Sequence, residues 1–179
     1  MLHIEIPAFE YFDDETQTFH SVKAVRLQLE HSLVSLSKWE SKWCKPFLTT
    51  KLTTEETRDY VRCMTITQNV NPLTYLALTD DHITQINCYI DAPMTATTFS
   101  NDPSARHGRA IITAEIIYYN MIAYQIPFEC QKWHLNRLLT LINVCRIKNS
   151  PPKKMGFKEQ AMQNRALNEA RRKAYNTKG

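Results

Sequence analysis

Along the first thirty residues apolar and polar side chains alternate. Leu2, Ile4 and Ile6 face one way and His3 and Glu5 the other, the two-residue period of a half-buried strand. Val25, Leu27 and Leu29 repeat the pattern against Arg26, Gln28 and Glu30. Between them, Phe9-Glu10-Tyr11-Phe12 and Gln17-Thr18-Phe19-His20 flank the polar run Asp13-Asp14-Glu15-Thr16, the arrangement of a hairpin. These segments predict a small N-terminal antiparallel sheet.

From Ser32 the period becomes helical. Leu33, Leu36, Trp39 and Trp43 recur every three or four residues, predicting an amphipathic helix over Ser32–Trp43 that stops before Pro46. Thr53-x-x-Glu56 is a capping-box pattern opening a second helix through Tyr60, Val61 and Met64. Asn71-Pro72 starts a short helix through Leu76. Thr79-Asp80-Asp81 starts another, with Ile83, Ile86 and Ile90 on one face and Pro93 beyond its end. Met94–Ser100 and Arg109–Thr113, flanking a polar loop, read as a hairpin. A nearly all-apolar helix then runs from Thr113 or Ala114 to about Ile126, and a long one follows from about Glu129 to Arg146. Being apolar on most sides, this consecutive pair is expected at the centre of the core.

Asn149-Ser150-Pro151-Pro152 cannot continue that helix, since each proline lacks the N–H and clashes with the preceding turn. It reads as a hinge. Beyond it, Phe157–Tyr175 is rich in good helix formers but thin in large apolar residues. Such a helix has little stability alone and needs a partner surface. The domain reading is therefore a globular α+β body over residues 1–148 and a proline-hinged, basic helical arm over 149–179. Charge divides at the same boundary. Residues 148–179 hold nine of the 22 Lys/Arg and two of the 18 Asp/Glu, so a mildly acidic body carries a strongly basic tail.

Gly, at three residues, is too scarce for a phosphate-cradling loop. The five cysteines are scattered and form no C-x-x-C pair, as expected of a reducing cytosol. The N-terminus lacks the basic and apolar regions of a signal peptide, and Ala110–Ile126 is too short and too polar to span a bilayer.

Candidate chemistry is sparse. Cys130 and His134, four apart on the expected long helix, could offer two metal ligands, but zinc sites want three or four and no second pair exists. A packed cysteine beside a hydrogen-bonded histidine is the plainer account. Asp80-Asp81-His82 is explained by acidic residues favoured in a first helical turn, and Asp13-Asp14-Glu15 by a solvated turn. The chain has no G-x-S-x-G, H-E-x-x-H or P-loop. These observations predict a non-enzyme with no metal and no cofactor.

Two places invite a protein partner. Trp39 and Trp43 share a helical face with Lys38 and Lys42 beside them, an arrangement more often core than binding pocket. In the arm, Phe157, Met162 and Leu167 would enter a partner's groove while Arg165, Arg171, Arg172 and Lys173 meet acidic groups at its rim. The arm has neither the aromatic interleaving of single-strand binders nor a groove-reading motif, so a protein partner is preferred to nucleic acid.

Several runs carry a resemblance. Leu29-Glu30-His31-Ser32-Leu33-Val34-Ser35-Leu36-Ser37-Lys38-Trp39-Glu40-Ser41-Lys42-Trp43 with Lys45-Pro46-Phe47-Leu48 is similar to a family of small proteins of long-tailed, siphovirus-type bacteriophages. So are Pro93–Ser100, Ile126–Arg137 and Pro151–Met155. The family is that of the tail assembly chaperones. The resemblance implies binding to the tape measure protein, help for tail-tube subunits polymerising around it, residence in the infected host's cytoplasm and absence from the finished virion. It assigns no site residues. Two rivals stand beside it: a structural virion component, such as a head–tail connector or tail-completion protein, and a nucleic-acid-binding regulator. A homo-oligomer is left open, and no membrane is expected.

Overall fold

The computed structural model describes residues 1–14, 17–98, 112–150 and 157–176. The fold is α+β and mostly helical, with antiparallel strands at the N-terminus packed on helices. The chain forms two compact units, Met1–Ile147 and Lys148–Gly179.

Strands β1 (Leu2–Ile6) and β4 (Val25–Leu29) pair antiparallel, and between them β2 (Phe9–Asp13) pairs with β3 (Thr18–Val22). The two ladders share one register, running from Leu2↔Leu29 through Ile6↔Val25 and Phe9↔Val22 to Asp13↔Thr18 without an insertion. They are two halves of one long hairpin, interrupted at Pro7-Ala8, where proline has no N–H to give to a ladder. The alternation sets the faces of the proximal half: Ile4, Ile6, Leu27 and Leu29 are buried, and Glu5, Arg26 and Gln28 are exposed. Residues 64–67 seal the outer edge of β4. Leu29 bridges Thr65, Ile66 N–H donates to Gln28 O at 2.8 Å, and Gln28 N–H donates to Thr67 Oγ1 at 2.9 Å.

Helix α1 (Leu33–Trp43) starts at Ser32, whose hydroxyl and the Ser35 side chain form a reciprocal capping box. It ends at Cys44, in the left-handed region at φ 52°. Helix α2 (Thr54–Met64) opens with the Thr53/Glu56 box, and a 3-10 turn over Pro72–Ala77 is capped by Asn71. Helix α3 (Asp80–Asp91) opens on Thr79, with the His82 ring accepting the Thr79 N–H. Asp80 and Asp81 occupy its first turn. The helix signals between Ser32 and Pro93 therefore correspond to observed elements.

The later segments differ from expectation. Of the hairpin read over Met94–Thr113, residues 99–111 lie outside the described residues, and the described flanks are not strands. Helix α4 covers Ala114–Ala123 and is exposed along one side. The single long helix read from Glu129 is two elements, a 3-10 turn over Phe128–Lys132 and helix α5 (Leu135–Asn149). The break has a physical cause. His134 bridges Ser32, and Leu135 N–H donates to His31 O at 2.7 Å, so backbone groups that would have continued the helix are tied to the β4–α1 junction. Cys130 and His134 consequently do not share a helical face.

The core is not centred on the last two body helices. One cluster gathers Ile4, Ile6, Leu27 and Leu29 with Trp39, Tyr60, Val61, Met64 and Ile86. The other gathers Leu33 and Leu36 with Ala114, Ile117, Met121, Leu135 and Leu138. Helix α1 feeds both: Leu33 and Leu36 enter one cluster, Trp39 the other. Burying a helix on two sides also encloses its polar residues Ser35 and Glu40.

Helix α6 spans Phe157–Tyr175 in the second unit. Pro151 and Pro152, read as a hinge, lie outside the described residues.

Candidate partner-binding surfaces

Helix α4 holds one charged residue, Glu115. Its inner side, Ala114, Ile117 and Met121, packs into the second cluster. Its outer side presents Ile116, Tyr119 and Ile122, which are 42%, 68% and 62% exposed. Ile112 before the helix and Phe128 after it are also exposed, and the Phe128 ring lies 6.5 Å from that of Tyr118. Single exposed apolar side chains are ordinary, whereas a contiguous apolar stripe marks an interaction site; exposed Glu115, four residues before Tyr119 and seven before Ile122, lies at its N-terminal end.

The start of the helix is tied to α1. Thr113, the N-cap, makes no side-chain capping bond. Glu40 of α1 caps the helix instead, its Oε2 accepting Ala114 N–H at 2.7 Å and its Oε1 accepting Phe47 N–H at 2.8 Å. A carboxylate at a helix N-terminus satisfies an orphan donor and opposes the helix dipole. At the same end Glu115 has its carboxyl held below the usual range by its own backbone N–H and the Thr113 hydroxyl.

The tryptophans are placed differently from each other. Trp39 is fully enclosed, its Nε1 donating to Glu56 O at 3.0 Å, so its indole faces no surface. Trp43 is half-buried against α2, its Nε1 donating to Asp59 Oδ2 at 2.8 Å, with Lys42 and Lys45 over its ring. Lys45 also pairs with Glu56, and that bond, followed by the Thr53 N–H, holds the Glu56 carboxyl below its usual range. Trp39 and Trp43 stack at 6.1 Å as part of the α1–α2 packing.

In α6, Met162, Arg165, Leu167, Arg171, Arg172 and Lys173 are all exposed. The side chain of Phe157 lies outside the described residues. Met162 and Leu167 are five residues apart, which separates them by about 140° around a helix of 3.6 residues per turn. They do not form one apolar face, so the helix is not shaped to lay them together in a groove. Arg165 and Arg172, seven apart, share a side, with Arg171 and Lys173 flanking it. The helix offers distributed positive charge rather than an amphipathic edge.

The most connected polar cluster of the body is internal. His31 Nδ1 and Tyr60 Oη are 2.6 Å apart, and the His31 and His134 rings meet edge-on at 5.2 Å. Asn136 N–H donates to His134 Nδ1, so Nε2 carries the proton that is donated to Tyr89 O at 2.9 Å. The Tyr89 hydroxyl donates to Glu30, which also pairs with the Met1 amino group. Burial, helped by neighbouring His134, lowers the His31 pKa to about 3, and burial lowers that of His134. Burial raises both tyrosines above their usual value. The two histidines and two tyrosines are neutral, hydrogen-bonded and almost closed to solvent, which is the chemistry of a structural joint.

No family model, curated protein or solved structure matches this chain. Among the described residues, no three His, Cys, Asp or Glu side chains are grouped to hold a metal, and no helix is long and apolar enough to cross a membrane.

The α4 stripe was missed in the sequence because its residues are apolar on nearly every side, which reads as burial. The available signal was composition: ten residues holding a single charge cannot show which side faces the core.

Proposed function

We propose that this chain is a non-catalytic tail assembly chaperone of a long-tailed bacteriophage. In this reading it binds the tape measure protein in the host cytoplasm and promotes assembly of the tail tube around it. The sequence resemblance supports the class. The observation that carries the binding role is the exposed stripe of Ile116, Tyr119 and Ile122 on a helix capped by Glu40. An apolar stripe bordered by little charge suits a client that must be kept from aggregating and later released. Basic α6 supplies a second, electrostatic contact through Arg165, Arg171, Arg172 and Lys173.

Co-expression with the tape measure protein tests the reading. The expected result is a soluble complex with the wild-type chain and an insoluble tape measure protein with a Tyr119→Lys/Ile122→Glu variant. Purified virions should lack the polypeptide. Stoichiometric amounts in virions would replace the proposal with a structural virion component. The exposed cations of α6 favour the nucleic-acid reading as a rival, which predicts binding of phage DNA or RNA with a steep salt dependence.

A further inference from the structure

Helices α1 and α2 pack together, and the cleft along their seam gathers positive charge on a mildly acidic body. Lys38 and Lys42 stand four apart on α1, and Arg58 and Arg62 four apart on α2. Residues so spaced are neighbours on a helix surface, and like charges there repel. Lys38, Lys42 and Arg62 line one cleft of about 450 Å³ with Asp59 and Cys63. Arg58 lines an adjoining hollow of about 260 Å³, which shares Lys42, Asp59 and Arg62 and also holds Glu55, Pro72 and Leu76.

The carboxylate of the cleft is already committed. Asp59 Oδ1 accepts from Lys42 Nζ, and Oδ2 accepts Trp43 Nε1–H at 2.8 Å. The side chains of Lys38, Arg58 and Arg62 make no hydrogen bond or ion pair among the described residues. The half-buried Cys63 thiol has its pKa raised by burial and by Asp59, while Lys38, Lys42 and Arg62 act against the rise. All three cations therefore lie within electrostatic reach of one sulfur. Two like-charge pairs on adjoining helices cost stability in the free protein, and a bound anion relieves that repulsion.

We infer that the α1–α2 cleft is a phosphate-binding site, with Lys38 and Arg62 as its principal contacts and Arg58 placed for a second phosphate beside the first. Charge selects the ligand. A phosphate monoester carries about −1.5 to −2 and three acceptor oxygens, which suits several unpaired cations in one cleft. A lone carboxylate brings one charge and two oxygens. The guanidinium of Arg62 presents its N–H groups as a fork that matches phosphate geometry. The cleft volume falls in the ~300–1,000 Å³ range of small-ligand sites, and Pro72 and Leu76 offer apolar surface to the organic part of a phosphate ester. Because Lys38 and Arg62 are exposed, binding is of modest affinity and weakens with salt. The cleft shares no residue with the α4 stripe or with α6.

The test is titration of the full chain with pyrophosphate at low ionic strength, followed by backbone amide NMR shifts and by the thermal midpoint. Amides of Lys38, Arg62 and Cys63 should shift saturably, and the midpoint should rise. Lys38→Gln/Arg62→Gln should weaken binding by roughly tenfold or more without lowering the midpoint of the free protein, since both side chains are exposed and unpaired. Lys23→Gln/Lys132→Gln, which removes equal charge from exposed positions outside the cleft, should bind as the wild type does. ADP and a single-stranded thymidine oligonucleotide, titrated in parallel, distinguish a free phosphate ester from a nucleic-acid backbone as the source of the phosphate. Whichever binds more tightly through Lys38 and Arg62 identifies it. The absence of a saturable shift at these amides overturns the inference. So do equal losses in the two charge-removing variants, a lowered midpoint in free Lys38→Gln/Arg62→Gln, and hexaglutamate binding as tightly as pyrophosphate at the same amides.

Discussion

Glu40 and Ala114, 74 positions apart in sequence, meet where the Glu40 carboxylate accepts the backbone N–H that opens α4, at 2.7 Å. The other carboxylate oxygen holds Phe47 N–H at 2.8 Å, so one buried side chain joins the end of α1 to the start of α4. The proposed client surface thus depends on a residue that does not touch it.

Glu40→Ala strands two amide donors, and each buried donor without a partner costs roughly 1–3 kcal/mol. The substitution should lower the urea midpoint clearly and speed amide exchange in α4. Glu40→Gln keeps one acceptor oxygen and should lose less. A midpoint unchanged in Glu40→Ala would mean that α4 needs no such cap.

Acid should loosen the joint between the two core clusters. The unfolded chain protonates His31 near the ordinary histidine value of 6.5, whereas the folded chain resists until about 3, because burial and His134 oppose the cation. The folded pKa is depressed, so this stabilisation is complete above about pH 6.5 and declines as pH falls toward 3, by at most ~1.4 kcal/mol per pH unit for one group. His134, also lowered by burial, adds in the same direction. Tyr60 and Tyr89, packed around the pair, have their pKa raised by burial and stay protonated throughout this range. Urea midpoints measured between pH 5 and pH 6.5, above the carboxylate range, should fall with pH, and His31→Gln should flatten the slope. Equal slopes in the two proteins would refute the assignment.

Core truncations should separate buried from exposed positions. Leu138→Ala, in the second cluster, should cost about 2–5 kcal/mol. Trp133, half-buried with Arg137 over its ring at 4.2 Å, should cost less when cut to alanine than a fully buried tryptophan such as Trp39. Leu167→Ala, on exposed α6, should change the midpoint by no more than ~0.5 kcal/mol. Thermal and urea unfolding of the four variants give the ranking directly.

The α4 stripe should behave as surface in the free protein. Ile122→Glu should leave the thermal midpoint nearly unchanged, reduce binding of an apolar fluorescent dye and raise solubility. A loss of several degrees would place Ile122 inside a packed interface instead.

The sequence by itself determined the elements whose signals are local. Alternation placed β1 to β4, and the side chains of Ser32, Thr53, Asn71 and Thr79 started their helices where they stand, because a cap bonds to backbone groups two or three residues away. The α+β class follows from those elements alone. Tertiary structure decided everything that depends on contacts between distant segments. It broke the helix read from Glu129 by tying His134 and Leu135 to the β4–α1 junction, and it turned one apolar side of α4 outward. It also enclosed Trp39 while leaving Trp43 half-buried. Period and composition report how much of an element is apolar. Which side is covered depends on what the rest of the chain brings against it, and a residue such as Glu40, reaching across 74 positions to cap α4, leaves no local trace of that role.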